Sequence, residues 1–171
     1  MKKFVIFLIA ITISFTSFAS YKCSADGKAH IKKYETCKLV AYPDANGYSI
    51  GWGHHGSDVT KGMKINQATA DSYFEKDIKS CEMYANLLIK KLPYKYNFSQ
   101  SFFDALVSLV YNCGYGNILN SSFYASLKRC RVKNSVINEA DYNFTVSKVK
   151  NTCVTCPGHK DRRRAEMLMM M

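Results

Sequence analysis

The 171-residue sequence has no internal repeat and no low-complexity tract, and after residue 20 no apolar run approaches the roughly 18 residues of a membrane-spanning helix. These absences exclude a repeat protein and disfavour long disordered regions. Acidic residues are also scarce, with 13 Asp and Glu against 24 Lys and Arg. Aromatic residues are plentiful instead, with 12 Tyr and 10 Phe, and about 150 residues suit one domain with its own core.

The first 20 residues have the features of a targeting segment. Two lysines precede an apolar run of about ten residues, and small residues, Ser17 and Ala19, stand at the −3 and −1 positions of a cleavage site. This pattern predicts a secretory signal peptide over 1–19 and a soluble domain over 20–171. An uncleaved membrane anchor is the alternative.

Seven cysteines follow the targeting segment: Cys23, Cys37, Cys81, Cys113, Cys130, Cys153 and Cys156. In an exported chain this number predicts up to three disulfide bonds and one odd thiol, in a pairing that the sequence does not define. A structural zinc site is the alternative, because Cys153 and Cys156 form a C-x-x-C and His54 and His55 are adjacent. No partner motif follows at zinc-finger spacing, so we expect no metal and no cofactor.

The formal net charge is +11. A basic chain suits nucleic acid, an anionic membrane or an anionic bacterial wall, and a solvated basic surface without a partner is equally compatible. No recognition-motif spacing or base-reading helix is present, and export disfavours nucleic acid.

Hydrophobic spacing predicts a mostly helical domain with one small sheet inserted early, an α+β arrangement. Asn66 and Ser99 are predicted helix caps, and the helix after Ser99 is apolar nearly all round, as expected of a buried central helix. Glycines and a proline between residues 38 and 54 predict a small hairpin. The predicted helices cover 29–37, 67 to about 89 and 100–113, with shorter ones from 121, from about 138 and from 159 to the end.

Two carboxylates, Glu35 and Asp44, suit the chemistry of a glycosidase, which needs one protonated carboxylic acid and one ionised carboxylate. Glu35 is predicted at the end of a helix beside Tyr34 and Cys37, where partial burial favours the neutral acid. Asp44 is in a polar turn, where solvent and backbone donors favour the charged form. With 13 acids in the chain, the pair alone is more simply explained as two surface residues.

The residues around this pair change that interpretation. The stretch Y-E-T-C-K-L-V-A-Y-P-D-A-N-G-Y-S-I-G-W-G-H (34–54) resembles the active-site segment of phage-type lysozymes, glycoside hydrolase family twenty-four. Three further blocks resemble the family in the same order: D-V-T-K-G-M-K-I-N-Q-A-T-A-D, S-Q-S-F-F-D-A-L-V-S-L-V-Y-N-C-G and P-G-H-K-D-R-R-R-A-E. The resemblance implies a lysozyme-like domain with a cleft between a small β lobe and a helical lobe.

The resemblance also implies catalytic roles. Glu35 matches the general acid, Asp44 matches the carboxylate that positions or deprotonates water, and Ser49 falls where a Thr usually holds that water. This arrangement implies inversion at the anomeric carbon, with carboxylates about 6.5–9.5 Å apart. Ser in place of Thr lacks the methyl group that restricts the rotamer, and the interval from Asp44 to Ser49 is one residue shorter than the commonest form.

Supporting roles follow in the same way. His54 and Asp77 match a pair expected to brace the hairpin without taking part in catalysis; a singly bonded core histidine is the alternative. Arg162 and Arg163 match a terminal Arg-Arg, one expected to orient Glu35 and the other to be structural or on the surface. Asn112 matches a cleft position from which an N-acetyl group can be bound, although an Asn at a helix end is often only a cap. His55 receives no role.

The resulting prediction is a monomeric bacteriolytic muramidase with peptidoglycan as its partner, without nucleic acid or a stable membrane anchor. It would be secreted, periplasmic or phagolysosomal. A lytic transglycosylase, a non-enzymatic cationic wall-binding or membrane-disrupting protein and, less favoured, a zinc amidase are the alternatives.

Overall fold

A computed structural model describes residues 20–44, 47–154 and 157–171, with the backbone alone at 157 and 158. The predicted signal peptide and Cys156 therefore lie outside the described residues. The elements in order are α1 (Ala25–Tyr34), β1 (Lys38–Asp44), β2 (Gly47–Gly51), β3 (His54–His55), α2 (Gln67–Lys90), α3 (Gln100–Cys113), α4 (Tyr115–Leu119), α5 (Ser122–Leu127), β4 (Val132–Lys133), β5 (Val136–Ile137), α6 (Glu139–Ser147), a 3-10 helix (Lys148–Asn151) and α7 (Pro157–Met170). The predicted α+β class is confirmed.

The first helix begins and ends earlier than the predicted 29–37. Ser24 caps it, because its hydroxyl accepts a hydrogen bond from the backbone N–H of Gly27 and donates one to Asp104. At the other end Glu35 has extended backbone angles, φ −107° and ψ 140°. Glu35 is thus the C-cap residue, and its side chain leaves the helix at the start of the β lobe.

The early sheet is a three-stranded antiparallel meander in the order β1-β2-β3. Asp44 pairs with Gly47 at the top of the first hairpin, and Ser49 pairs with Tyr42 on one side and with His55 on the other. The register shifts between Lys38 and Tyr42, so β1 carries an irregularity close to Glu35. The predicted hairpin is confirmed.

Helix α3 is the centre of the core. Every residue from 102 to 110 is buried, and α1, α2, α4 and α7 all pack against it. Ser99 caps its start, and Gly114 ends it with a φ of +78°, a conformation that side chains disfavour. The prediction of a buried central helix is confirmed.

Three parts of the fold differ from expectation. Helix α4 and the β4–β5 hairpin were not predicted; the hairpin turns through Asn134 and Ser135, both with positive φ. Helix α7 begins two residues before the predicted 159. Among the described residues, no helix is long and apolar enough to cross a membrane.

Candidate active site

Glu35 lies where α1 meets the β lobe, with a side chain 20% exposed. Its Oε1 accepts a hydrogen bond from Nη1 of Arg162 at 2.5 Å. A Cβ atom placed on Gly53, in the turn between β2 and β3, would lie 3.6 Å from its Oε2. The absence of a side chain at Gly53 therefore keeps one oxygen of the acid accessible from the hairpin side.

Arg162 belongs to α7 and is 2% exposed. Its Nε contacts Oε1 of Glu166 at 3.2 Å, and its Nη2 contacts the Oγ of Ser108 at 3.2 Å. The guanidinium thus reaches Glu35 from a fixed position between α7 and α3. The expected proximity of one arginine of the pair to Glu35 is present, and its role in orienting the acid stays a prediction.

Asp44 and Ser49 are brought together by the β1–β2 hairpin. The Ser49 hydroxyl, which is buried, donates a hydrogen bond to Oδ2 of Asp44 at 2.7 Å. Tyr42 is the strand partner of Ser49. Burial raises the pKa of the Tyr42 hydroxyl, and the negative charges of Asp44 and Glu35 raise it further. Both carboxylates are therefore near enough to Tyr42 to affect it electrostatically.

His54 is buried and lies between two carboxylates. Its Nδ1 contacts Oδ2 of Asp77 at 2.9 Å, and its Nε2 lies 3.3 Å from Oδ2 of Asp58. The ring also stacks on Tyr73 with centroids 4.3 Å apart. The expected contact between His54 and Asp77 is present and ties β3 to α2, while Asp58 is a second partner that the sequence did not reveal.

Arg163 is fully buried, so of the two roles expected for the second arginine, structural or on the surface, the structural one fits. Its Nη2 donates a hydrogen bond to Oδ1 of Asn112 at 2.8 Å, and its Nη1 lies 3.3 Å from Sγ of Cys113. Asn112 therefore uses its carbonyl oxygen inside the protein. A contact between Asn112 and an N-acetyl group stays a prediction.

Trp52 anchors the β2–β3 turn to the helical lobe. Its Nε1 donates a hydrogen bond to Oδ1 of Asp71 at 2.8 Å, and its backbone carbonyl accepts one from the Tyr111 hydroxyl at 2.7 Å. Lys32 contacts the same Asp71 oxygen at 2.7 Å and lies over the indole ring. The hydrogen bonds from Lys32, Trp52 and Gln67 lower the pKa of Asp71 to about 2.

Besides Asp58, sequence reasoning missed three residues of this region. Glu166 and Ser108 surround Arg162, and His55 lies with its Nδ1 at 3.2 Å from Oγ of Ser49. A helical spacing of four from Arg162 to Glu166 was visible in the sequence. The His55 contact follows from strand register, which the sequence does not define.

The six described cysteines are free thiols. Cys113 and Cys153 are in side-chain contact, and burial raises the pKa of Cys113 to about 12. Within the described ranges no group of three or more His, Cys, Asp or Glu is arranged to hold a metal ion.

This combination of a helical body, an early hairpin and an acid at the end of the first helix defines a lysozyme-like protein. The endolysin from Escherichia coli O157:H7 phage FAHEc1 has the same fold, with a TM-score of 0.68 and 28% identity over 88% of this chain and 93% of that chain.

The Phage lysozyme family matches residues 32–166, and the chain belongs to that family. An endolysin of Lactococcus phage c2 is 47% identical over 96 residues, 54% of this chain and 40% of that protein, so this chain matches well under half the length of that relative. An endolysin of Acyrthosiphon pisum secondary endosymbiont phage 1 is 31% identical over 146 residues, 84% of this chain and 93% of that protein.

Proposed function

We propose that this protein hydrolyses the β-1,4 bond between N-acetylmuramic acid and N-acetylglucosamine in peptidoglycan. The observation that carries the proposal is that two carboxyl groups have different hydrogen-bond partners. Glu35 accepts from the buried Arg162, and Asp44 accepts from Ser49. Family membership supports the same substrate.

In the proposed reaction Glu35 gives its proton to the glycosidic oxygen as the bond to the anomeric carbon breaks. A water molecule adds to the opposite face of that carbon and loses its proton to Asp44. Ser49 fixes the Asp44 carboxylate, so that the remaining oxygen is directed at the water. This route inverts the anomeric configuration, and proton NMR of fresh products would detect the α anomer first.

The central test measures loss of turbidity of bacterial walls with wild type, Glu35→Gln and Asp44→Asn. Glu139→Gln is the matched control, because Glu139 is exposed in the first turn of α6. We expect near-complete loss in Glu35→Gln, a large loss in Asp44→Asn and no change in the control. Lysis that persists unchanged in Glu35→Gln would contradict the enzymatic proposal and favour a cationic wall-binding protein.

A lytic transglycosylase on the same bond is the competing enzymatic function. That chemistry uses the 6-hydroxyl of the muramic acid as the nucleophile and does not need Asp44. Hydrolysis leaves reducing ends, whereas a transglycosylase leaves anhydro-muramic ends, and mass spectrometry of the digest distinguishes them. The Asp44–Ser49 hydrogen bond favours hydrolysis, because a transglycosylase has no use for a second carboxylate held in a fixed position.

We also propose that the protein is exported and acts as a monomer. In this proposal it does not bind nucleic acid, and its mature form has no stable membrane anchor. Export rests on the composition of residues 1–20 and on the number of cysteines. The contact between Cys113 and Cys153 supports one specific disulfide bond in an oxidising compartment. The setting, secreted, periplasmic or phagolysosomal, would follow from the host.

A further inference from the structure

Glu166 is a fully buried carboxylate that no catalytic role explains. It lies on α7, one helical turn after Arg162, with 0% of its surface exposed. A carboxylate is rarely buried to this extent without charged partners, because removal from water penalises its ionised form. Its surroundings should therefore reveal what it does.

Three groups converge on Glu166. Its Oε1 accepts a hydrogen bond from the Ser108 hydroxyl at 2.5 Å and lies 3.2 Å from Nε of Arg162. Its Oε2 lies 3.0 Å from Nε of Arg163. Burial raises the pKa of Glu166, whereas the two guanidinium groups and the Ser108 hydroxyl oppose that effect. Two buried cations at these distances favour the ionised carboxylate, since a neutral one would leave both without a buried counter-ion.

The same arginine serves Glu166 and Glu35. Arg162 contacts Glu166 through Nε and Glu35 through Nη1. One positive charge therefore faces both carboxyl groups. With Glu166 ionised and Glu35 protonated, the four groups carry a net charge of one. Without the Glu166 charge they would carry two, and the loss of a proton from Glu35 would be favoured more strongly.

We propose that Glu166 is a positioning residue that offsets the positive charge of Arg162 and Arg163 and thereby sets the highest pH at which Glu35 keeps its proton. This inference rests on the proposed function, in which Glu35 must be protonated to act. It also explains how a general acid works beside an arginine: the arginine orients the acid, while Glu166 limits the cation's effect on its protonation.

Other charged or titratable groups act on this cluster. The groups on which Glu35, Glu166 or the two arginines act electrostatically are His30 on α1, Tyr42 on β1, and Tyr111 and Cys113 on α3. Lys33 on α1 and Asp104 on α3 act in turn on His30. On the 3-10 helix that packs against α7, Lys150 lies with Lys160 and Arg164 at another cavity. Among the charged groups in the described part of the chain, Glu166 is the one that forms ion pairs with both arginines.

The test is the pH profile of kcat for wall lysis in wild type and Glu166→Gln. Activity falls at high pH as Glu35 loses its proton, so we expect this limb to move to lower pH in the variant, by on the order of one pH unit. Glu166→Asp keeps the charge and should restore most of the wild-type position. A folded Glu166→Gln with an unchanged limb would overturn the proposal.

Arg163→Gln should move the high-pH limb of the kcat profile in the opposite direction. It removes a cation and leaves Glu166 to Arg162, so the limb should move to higher pH. A purely structural role predicts loss of stability in both variants and no opposed shifts. If Glu166→Gln does not fold, Arg163→Gln decides: a shift upward supports the proposal, and no shift or a shift downward overturns it.

A measurement without substrate separates this inference from the proposed function. NMR with ¹³C-labelled glutamate follows the titration of the Glu35 side chain directly, assigned through Glu35→Gln. A lower midpoint in Glu166→Gln than in wild type supports the inference even if no wall lysis is found. Identical midpoints would sink it even in an active muramidase.

Discussion

The hydroxyl of Ser49 donates a hydrogen bond to Oδ2 of Asp44 at 2.7 Å. An ionised carboxylate can only accept, so the oxygen of Ser49 remains free to accept from Nδ1 of His55, which lies 3.2 Å away. These two contacts hold the Ser49 side chain in one rotamer. Serine lacks the methyl group that restricts the rotamer of a threonine. His55, next to His54, thus helps to fix the Ser49 side chain.

Removal of this hydroxyl should impair catalysis more than folding. In Ser49→Ala, Asp44 loses its donor and the attacking water loses its orientation, so kcat for wall lysis should fall on the order of tenfold to hundredfold. The exposed Ser72→Ala on α2 is the control. Equal kcat in Ser49→Ala and Ser72→Ala, at equal far-UV circular dichroism, would contradict a role for Ser49.

The two carboxylates around His54 should contribute unequally to stability. Both side chains contact the His54 ring, Asp77 at 2.9 Å and Asp58 at 3.3 Å. The Asp77 side chain is 27% exposed, whereas that of Asp58 is 45% exposed. Asp77→Asn should lower the free energy of unfolding by about 2 kcal/mol, as expected for loss of a hydrogen bond to a carboxylate, and Asp58→Asn, at the more exposed carboxylate, should lower it much less. Urea denaturation at neutral pH measures both. A larger loss in Asp58→Asn would mean that the exposed partner is the one that braces the hairpin.

His30 makes stability depend on pH. Burial of its Nε2, helped by the charge of Arg162, lowers the pKa of His30 from 6.5 to about 4. The unfolded chain then binds a proton that the folded chain does not between these values, so stability falls as the pH drops from 6.5 to 4. The loss should be about 1–2 kcal/mol after allowance for partial exposure.

His30→Phe keeps the ring that packs near Tyr34 and removes the titration. Its free energy of unfolding should therefore change less across that window than that of wild type. Parallel pH dependences in the two proteins would show that His30 is not the group responsible.

The cysteine contact gives a defined pairing. Exposure of the reduced protein to oxidised glutathione should join Cys113 to Cys153, with two thiols oxidised and one glutathione disulfide reduced to two thiols. The raised pKa of Cys113, about 12, predicts slow reaction near neutral pH. Peptide mapping identifies the bond, and Cys113→Ser is the control. A map that contains only Cys153 linked to Cys156 would contradict this pairing.

The sequence predicted most of what local chemistry dictates. Caps at Asn66 and Ser99, the apolar circumference of α3 and the glycine-punctuated hairpin are local signals, and each predicted its element. The early start of α1 was missed because Ser24 is fixed by Asp104, 80 residues away. The contact between His55 and Ser49 was missed for the same reason, because strand register defines it. The contact between Glu166 and Ser108 likewise depends on helix packing, although the spacing of four from Arg162 to Glu166 was visible in the sequence.

The bond between Glu35 and Arg162 joins residues 127 positions apart. A chain in which α7 has not been synthesised or has not docked has the proposed general acid without the arginine that contacts it. Lytic competence should therefore appear only after α7 has docked.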